Sequence, residues 1–212
     1  MAERSVVLLG DSILDNGAYT AGGPHVAAQV QAALPEGWRC VLAAVDGATT
    51  EDVPRQMGDV PDDAAVLVLS AGGNDLLGHV NVLDEPASGS AQVLARLADL
   101  ADAFEVDYRA MLRHVQAPGL PLVVCTVYNG NFPDPRMARL AAAAMAVFDD
   151  RIFRVALEKG LPVIELRAVC SRAEDYANPI EPSSVGGEKI ARAIVRVVAE
   201  HDFAAGRTVV YR

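Results

Sequence analysis

Residues able to carry out acyl-transfer chemistry recur in this chain just after short apolar runs. Gly10-Asp11-Ser12-Ile13-Leu14-Asp15-Asn16 follows the first run, Asp46-Gly47-Ala48-Thr49 the second, and Ala71-Gly72-Gly73-Asn74-Asp75 the third. A serine in a tight turn between strand and helix presents its hydroxyl to a ligand, and the adjacent backbone N–H groups aim at charge developing on a carbonyl oxygen. A glycine lets the backbone approach a ligand closely enough to donate its own N–H. An asparagine side chain offers an amide donor to the same oxygen. Ser12, Gly47 and Asn74 thus combine a nucleophile with up to three oxyanion donors.

The elements that must hold these residues follow from periodicity. Apolar, β-branched runs at 6–9, 39–45, 65–70, 121–127 and 162–166 alternate with segments of helical period at 24–34, 51–57, 91–115, 135–159 and 183–200. Such alternation predicts an α/β protein with a five-stranded parallel sheet between helices. The tail, 208–211, has the composition of a short added edge strand. Thr49 and Asp52 have the spacing of a capping box, and Ser183 or Ser184 can cap the last helix. In an open parallel sheet, ligands bind at the carboxyl ends of the strands, which is where the three motifs fall. The polar, Gly- and Pro-bearing stretch 81–90 reads as a flexible excursion placed to act as a lid. With 212 residues, 51% of them hydrophobic, and no repeat or linker, the chain is expected to form one domain over 1–212.

The GDSxxD motif at Gly10, a glycine after the second strand and GGND at Gly72 resemble the first three sequence blocks of the SGNH (GDSL-type) hydrolase family. The resemblance implies a three-layer, flavodoxin-like fold. It also implies a nucleophile at Ser12 and oxyanion donors at the Ser12 amide, the Gly47 amide and the Asn74 side chain. The activity implied is hydrolysis of acyl or acetyl esters, thioesters or amides, with no cofactor and no metal.

The chain departs from the family at its fourth block, a DxxH near the C-terminus. Here the stretch reads Asn178-Pro179-Ile180-Glu181, and the following Pro182-Ser183 sets the register, so Glu181 stands at the His position and Asn178 at the Asp position. Glu181 with neutral Asn178 carries the charge of a neutral His beside an ionised Asp, and the Asn amide can donate to the carboxylate. An Asp retained there would repel Glu181. A glutamate is the weaker base, with a reference pKa of about 4.3 against about 6.5 for histidine. It also ends proton transfer neutral, without attracting the oxyanion. Two readings follow. One is a slow carboxylic-ester hydrolase acting on a small acyl or acetyl ester through Ser12 and Glu181. The other is a non-catalytic ligand-binding protein that retains the oxyanion pocket. His25 and His79 lie near enough to the motifs to replace the missing base, whereas His114 and His201 fall at helix ends.

Tyr128 and Asn129 follow the fourth strand and face the same crevice, where they either recognise a polar acyl group or sugar or form a plain turn. Asp11, Asp15, Asn16 and Asp75 are candidates either to touch substrate or to hold their turns. Carboxylates at Asp11, Asp15 and Glu181 raise a metal or glycosidase reading, but no metal-ligand spacing supports it. A net charge of -10 without a Lys/Arg stripe argues against nucleic acid and an anionic membrane surface as partners; the partner that the resemblance implies is a small-molecule ester or acyl substrate. No apolar run approaches the roughly 18 residues of a membrane span. The short N-terminal lead leaves no room for a secretory signal. Cys40, Cys125 and Cys170 are odd in number and lack CxxC spacing, reading as buried thiols of a cytoplasmic protein.

Overall fold

The computed structural model describes residues 4–212; the N-terminal lead read above falls largely on residues 1–3, outside the described residues. The strands are β1 (Arg4–Gly10), β2 (Trp38–Leu42), β3 (Ala64–Ser70), β4 (Leu122–Cys125), β5 (Val163–Ile164) and β6 (Val210–Tyr211). They form a six-stranded sheet in the order β2-β1-β3-β4-β5-β6, with every pairing parallel. The first five strands keep the doubly wound order 2-1-3-4-5, and the order reverses direction beside β1. To the five strands expected the tail adds a sixth, the short edge strand read at 208–211, pairing Val210 with Val163 and Tyr211 with Ile164.

The helices are α1 (Val26–Ala33), α2 (Val53–Gln56), α3 (Gly73–Leu77), α4 (Ser90–Val115), α5 (Pro135–Lys159), α6 (Leu166–Val169) and α7 (Ser184–Glu200). Alternation along β1 divides the core in two. Val6 and Leu8 pack with α1 and α7 on one face, while Val7 and Leu9 pack with α4 and α5 on the other. All four side chains are fully buried. Burying each contributes about 1.5–3 kcal/mol.

Strand boundaries differ from the sequence reading where the chain leaves the ladder. β2 stops at Leu42 because Ala43 and Ala44 both turn their N–H groups onto the single Leu8 carbonyl, at 2.9 and 2.8 Å. β4 stops at Cys125; the Val127 N–H goes instead to the buried Asp149 carboxylate at 2.8 Å. Ser183 caps α7 as expected, its hydroxyl accepting from Val185 and Gly186. The capping box is half formed, with Asp52 accepting from the Thr49 N–H at 3.0 Å. Short α3 was not foreseen, and part of the stretch 81–90 is a 3-10 turn over Val80–Asp84. No helix among the described residues is long and apolar enough to cross a membrane.

Candidate active site

The first strand ends in a backbone geometry that only glycine tolerates. Gly10 has φ +120°, and a Cβ there would lie 1.7 Å from the Ser70 carbonyl oxygen on β3. Gln56 of α2 clamps the same residue from the side, accepting from its N–H at 2.7 Å and donating to its carbonyl at 2.8 Å. The chain then turns, with the Leu14 and Asp15 amides on the Asp11 carbonyl, and leaves Ser12 in the wall of a cleft over the strand ends. The Asp11 side chain points inward, 2% exposed, and accepts from Ile13 N–H at 3.2 Å and the Ser70 hydroxyl at 3.0 Å. Burial pushes its pKa up to about 7, against the lowering effect of those two bonds, while Glu181 and Asp75 add smaller repulsions.

Glu181 comes to the cleft from the other end of the chain. Its segment is folded by a dense set of bonds. Asn178 Oδ1 accepts from the Ile180 and Glu181 N–H groups at 2.9 and 3.0 Å, and Ala177 N–H donates to the Glu181 carbonyl at 2.9 Å. Ser183 N–H donates to the carbonyl of buried Asp175, whose carboxylate pairs with Lys189. Tyr128 reaches over from the end of β4, its hydroxyl donating to the Ile180 carbonyl at 2.6 Å. Asn16, fully buried, donates to the Pro182 carbonyl at 3.2 Å and accepts from Val26 N–H at 2.8 Å. The consequence is that Ser12 and Glu181, 169 positions apart, line one cleft.

Glu181 is 6% exposed, and its Oε2 is buried with no hydrogen-bond partner. Burial raises the pKa of the carboxyl above the ordinary glutamate value, the Ser12 hydroxyl opposes the rise by donating to it, and Asp46 adds to it. The expected bond from the Asn178 amide to the carboxylate does not form. Asn178 is exposed, and it acts on the backbone turn instead.

Asn74 lines the same cleft, its amide donating to the Ala48 carbonyl at 3.0 Å and so joining it to the turn that holds Gly47. Gly47, at φ +82°, is exposed beside that turn and is not part of the cleft wall. Neither the Ser12 nor the Gly47 N–H makes a hydrogen bond among the described residues.

Several candidate substrate contacts are turned onto neighbouring loops. Asp15 accepts from the Asp46 N–H at 3.1 Å, and Asp75 accepts from the Thr50 N–H and, at 2.6 Å, from its hydroxyl. Together with Asn16, these side chains tie the strand-end loops to one another. Tyr128 and Asn129 both line the cleft, the tyrosine buried and the asparagine exposed. His79 lines it too, whereas His25 is the N-cap of α1, accepting from Ala28 N–H at 3.4 Å, and lies outside the cleft wall. His25 therefore does not replace the base.

The sequence reading missed the apolar body of the cleft. Leu76, Val80 and Leu83 form one wall, from α3 and the 3-10 turn after it, and Met137, Leu140 and Met145 of α5 form another. The signal available was the spacing of Met137, Leu140, Ala141, Ala144 and Met145 along one helix face.

A parallel three-layer α/β sandwich with an apolar cleft over the carboxyl ends of its strands is the architecture of an SGNH-type hydrolase. The chain belongs to the GDSL-like Lipase/Acylhydrolase family, which it matches over residues 8–186. No curated protein matches it by sequence. Among solved structures it is similar to the extracellular lipase of Streptomyces rimosus (17% identity, 92% of this chain and 98% of that one, TM-score 0.69). It is also similar to the lipase Lip_vut3 from a goat rumen metagenome (19% identity, 94% and 99%, TM-score 0.71). A third is Axe2, an acetylxylan esterase of Geobacillus stearothermophilus (21% identity, 95% and 96%, TM-score 0.61). At these identities the likeness establishes the fold.

Proposed function

We propose that the protein is a carboxylic-ester hydrolase in which Ser12 is the nucleophile and Glu181 the general base. The observation that carries this reading is that Ser12 and the buried carboxyl of Glu181, on whose pKa the Ser12 hydroxyl acts, line one cleft together with Asn74. In this reading Ser12 Oγ attacks the ester carbonyl and its proton passes to Glu181. The Ser12 and Gly47 amides and the Asn74 side chain receive the oxyanion. As the tetrahedral adduct collapses, Glu181 returns the proton to the departing alkoxide, and the acid is left on Ser12. Water, deprotonated by Glu181, then releases the carboxylic acid and restores the hydroxyl. Asn178 serves by folding the turn that presents Glu181.

Burial supports the choice of base. A raised carboxyl pKa moves Glu181 closer to the working pH and makes it a stronger proton acceptor than an exposed glutamate. The apolar walls of the cleft suit the acyl group of a small acyl or acetyl ester. Three free thiols, two of them buried, support a cytoplasmic setting.

The test is hydrolysis of p-nitrophenyl acetate by wild type, Ser12→Ala and Glu181→Gln, with a fluorophosphonate to label Ser12. Activity lost in both variants together with labelling of the wild type supports the reading. Wild-type activity no higher than that of Ser12→Ala, with no label, leaves the protein as a ligand-binding member of the family.

A further inference from the structure

We propose that Tyr128 is a positioning residue for the general base, its buried hydroxyl fixing the peptide unit that carries Glu181. The inference rests on the reading of Glu181 as that base.

The peptide unit between Ile180 and Glu181 is held at both of its polar ends. Its N–H donates to Asn178 Oδ1 at 3.0 Å, a bond made within the turn. Its carbonyl accepts from the Tyr128 hydroxyl at 2.6 Å, a bond that crosses 52 positions of sequence and joins the turn to the end of β4. The carbonyls on either side are held as well, Pro179 by the Asn131 N–H at 2.8 Å and Pro182 by Asn16. Tyr128 is the distant residue that reaches the unit next to the base itself. A turn closed only by its own bonds can swing as a body, and a bond from a second element removes that freedom at the atom where position matters.

Tyr128 is in turn firmly placed. It is 3% exposed, and its ring meets Tyr176 edge-on, with centroids 5.1 Å apart. The two residues before it are pinned to different elements. Thr126 N–H donates to the Ile164 carbonyl of β5 at 3.0 Å, and its hydroxyl accepts from the Leu166 N–H of α6 at 2.8 Å. The Val127 N–H donates to the Asp149 carboxylate of α5. Asp149 is fully buried and lies 3.3 Å from the Arg167 guanidinium, which grips Glu165 through two nitrogens at 2.8 and 2.5 Å. A buried acid with no part in acyl transfer thus sets where the tyrosine stands.

Burial, with a smaller push from Glu181, holds the Tyr128 phenol well above its ordinary pKa of 10.0, so it stays a donor throughout the pH range of an ester assay. The other ionisable groups that act on Glu181 or feel it are Asp11, Asp46 and Tyr19. The Tyr128 hydroxyl bonds to none of them, so its removal leaves their contacts in place.

The experiment is the pH dependence of p-nitrophenyl acetate hydrolysis by wild type, Tyr128→Phe, Glu181→Gln and the double variant. The limb that vanishes in Glu181→Gln is taken as that of the base. Tyr128→Phe keeps the ring and its contact with Tyr176, and should lower Tm by only a few degrees. Its kcat should fall about tenfold with KM within about twofold of wild type, because a displaced base slows proton transfer and not binding. The limb should move to lower pH, toward the ordinary glutamate value, as water reaches a carboxyl held less firmly. In the Glu181→Gln background the same substitution should change kcat by less than about twofold.

Three outcomes would overturn the proposal. A raised KM with kcat unchanged would make Tyr128 a substrate contact. An equal tenfold loss in the Glu181→Gln background would make its effect independent of the base. Wild-type kcat with an unmoved limb would leave the bond without a role in turnover. Failure of the hydrolase reading looks different, with wild type no faster than Ser12→Ala and no limb lost in Glu181→Gln, and it takes the proposal with it.

Discussion

Asn16 donates to the Pro182 carbonyl at 3.2 Å and accepts from the Val26 N–H at 2.8 Å, so one buried side chain joins the Ser12 loop, the start of α1 and the segment that carries Glu181. The bond spans 166 positions of sequence. It does for the site what no local turn can do, holding Ser12 and Glu181 in one frame.

Asn16→Ala removes both bonds and leaves the Val26 N–H and the Pro182 carbonyl buried without partners. The expected loss is about 3 kcal/mol. In a protein of this size that lowers Tm by about 10 °C, read by thermal denaturation. Ester hydrolysis should fall in the same variant at temperatures where it remains folded. Asn178→Ala, at an exposed turn, should cost less stability.

Ser12→Ala and Glu181→Gln should each lower kcat/KM for a p-nitrophenyl ester by about 10²-fold or more, and the double variant should lose little beyond either single one, because the two act as a unit. Full additivity of the two losses would argue against a shared proton.

The Glu181 carboxyl must be ionised to accept the Ser12 proton, and burial raises its pKa above the ordinary 4.5. The rate should therefore climb with pH through a midpoint higher than that of an exposed glutamate. That limb should be absent from the residual activity of Glu181→Gln. A limb unchanged in the variant would assign it to another group, with Asp11, at about 7, the first to test.

Asp11 gives a stability signature of the opposite kind. Its folded pKa of about 7 lies above the ordinary 3.8, so the folded protein holds the proton more tightly than the unfolded chain. Its effect costs nothing below pH 3.8, and stability declines as pH rises from there to about 7. Asp11→Asn keeps an acceptor for Ile13 and Ser70 without the charge. The fall in Tm between pH 4 and pH 8 should be smaller in the variant than in wild type by a few degrees.

Gly10→Ala places a methyl group 1.7 Å from the Ser70 oxygen at φ +120°, with backbone on both sides. The strand pair cannot yield without parting β1 from β3. A loss above about 4 kcal/mol is expected, seen as insoluble or unfolded protein. Gly47→Ala meets open space and should remain folded, with only the strain of its positive φ.

The parallel sheet, the helices on both faces and the positions of Ser12 and Asn74 at strand ends were legible in the sequence. They rest on local causes: β-branched runs of strand length, helical periods, and turn residues directly after each run. Val6 to Leu9 could hardly be anything but a central strand, and the family resemblance agreed with it. The short elements escaped. Gly73–Leu77 carries too few residues for a helical period, whereas the edge strand read from the tail forms over Val210–Tyr211 beside Val163 and Ile164.

The roles of individual polar side chains were decided by tertiary structure alone. Asp15, Asn16 and Asp75 stand in the motifs where substrate contacts are expected, yet each spends its bonds on a neighbouring loop: Asn16 on buried backbone groups that demand partners, Asp15 on the Asp46 N–H, and Asp75 on Thr50. Asn178 folds its own turn. The sequence by itself determined which residues stand at the strand ends. Which of them face the cleft, and that the cleft is apolar and without a cationic side chain of Lys or Arg, depended on elements distant in the chain being packed together, a matter of long-range contacts that no local pattern encodes.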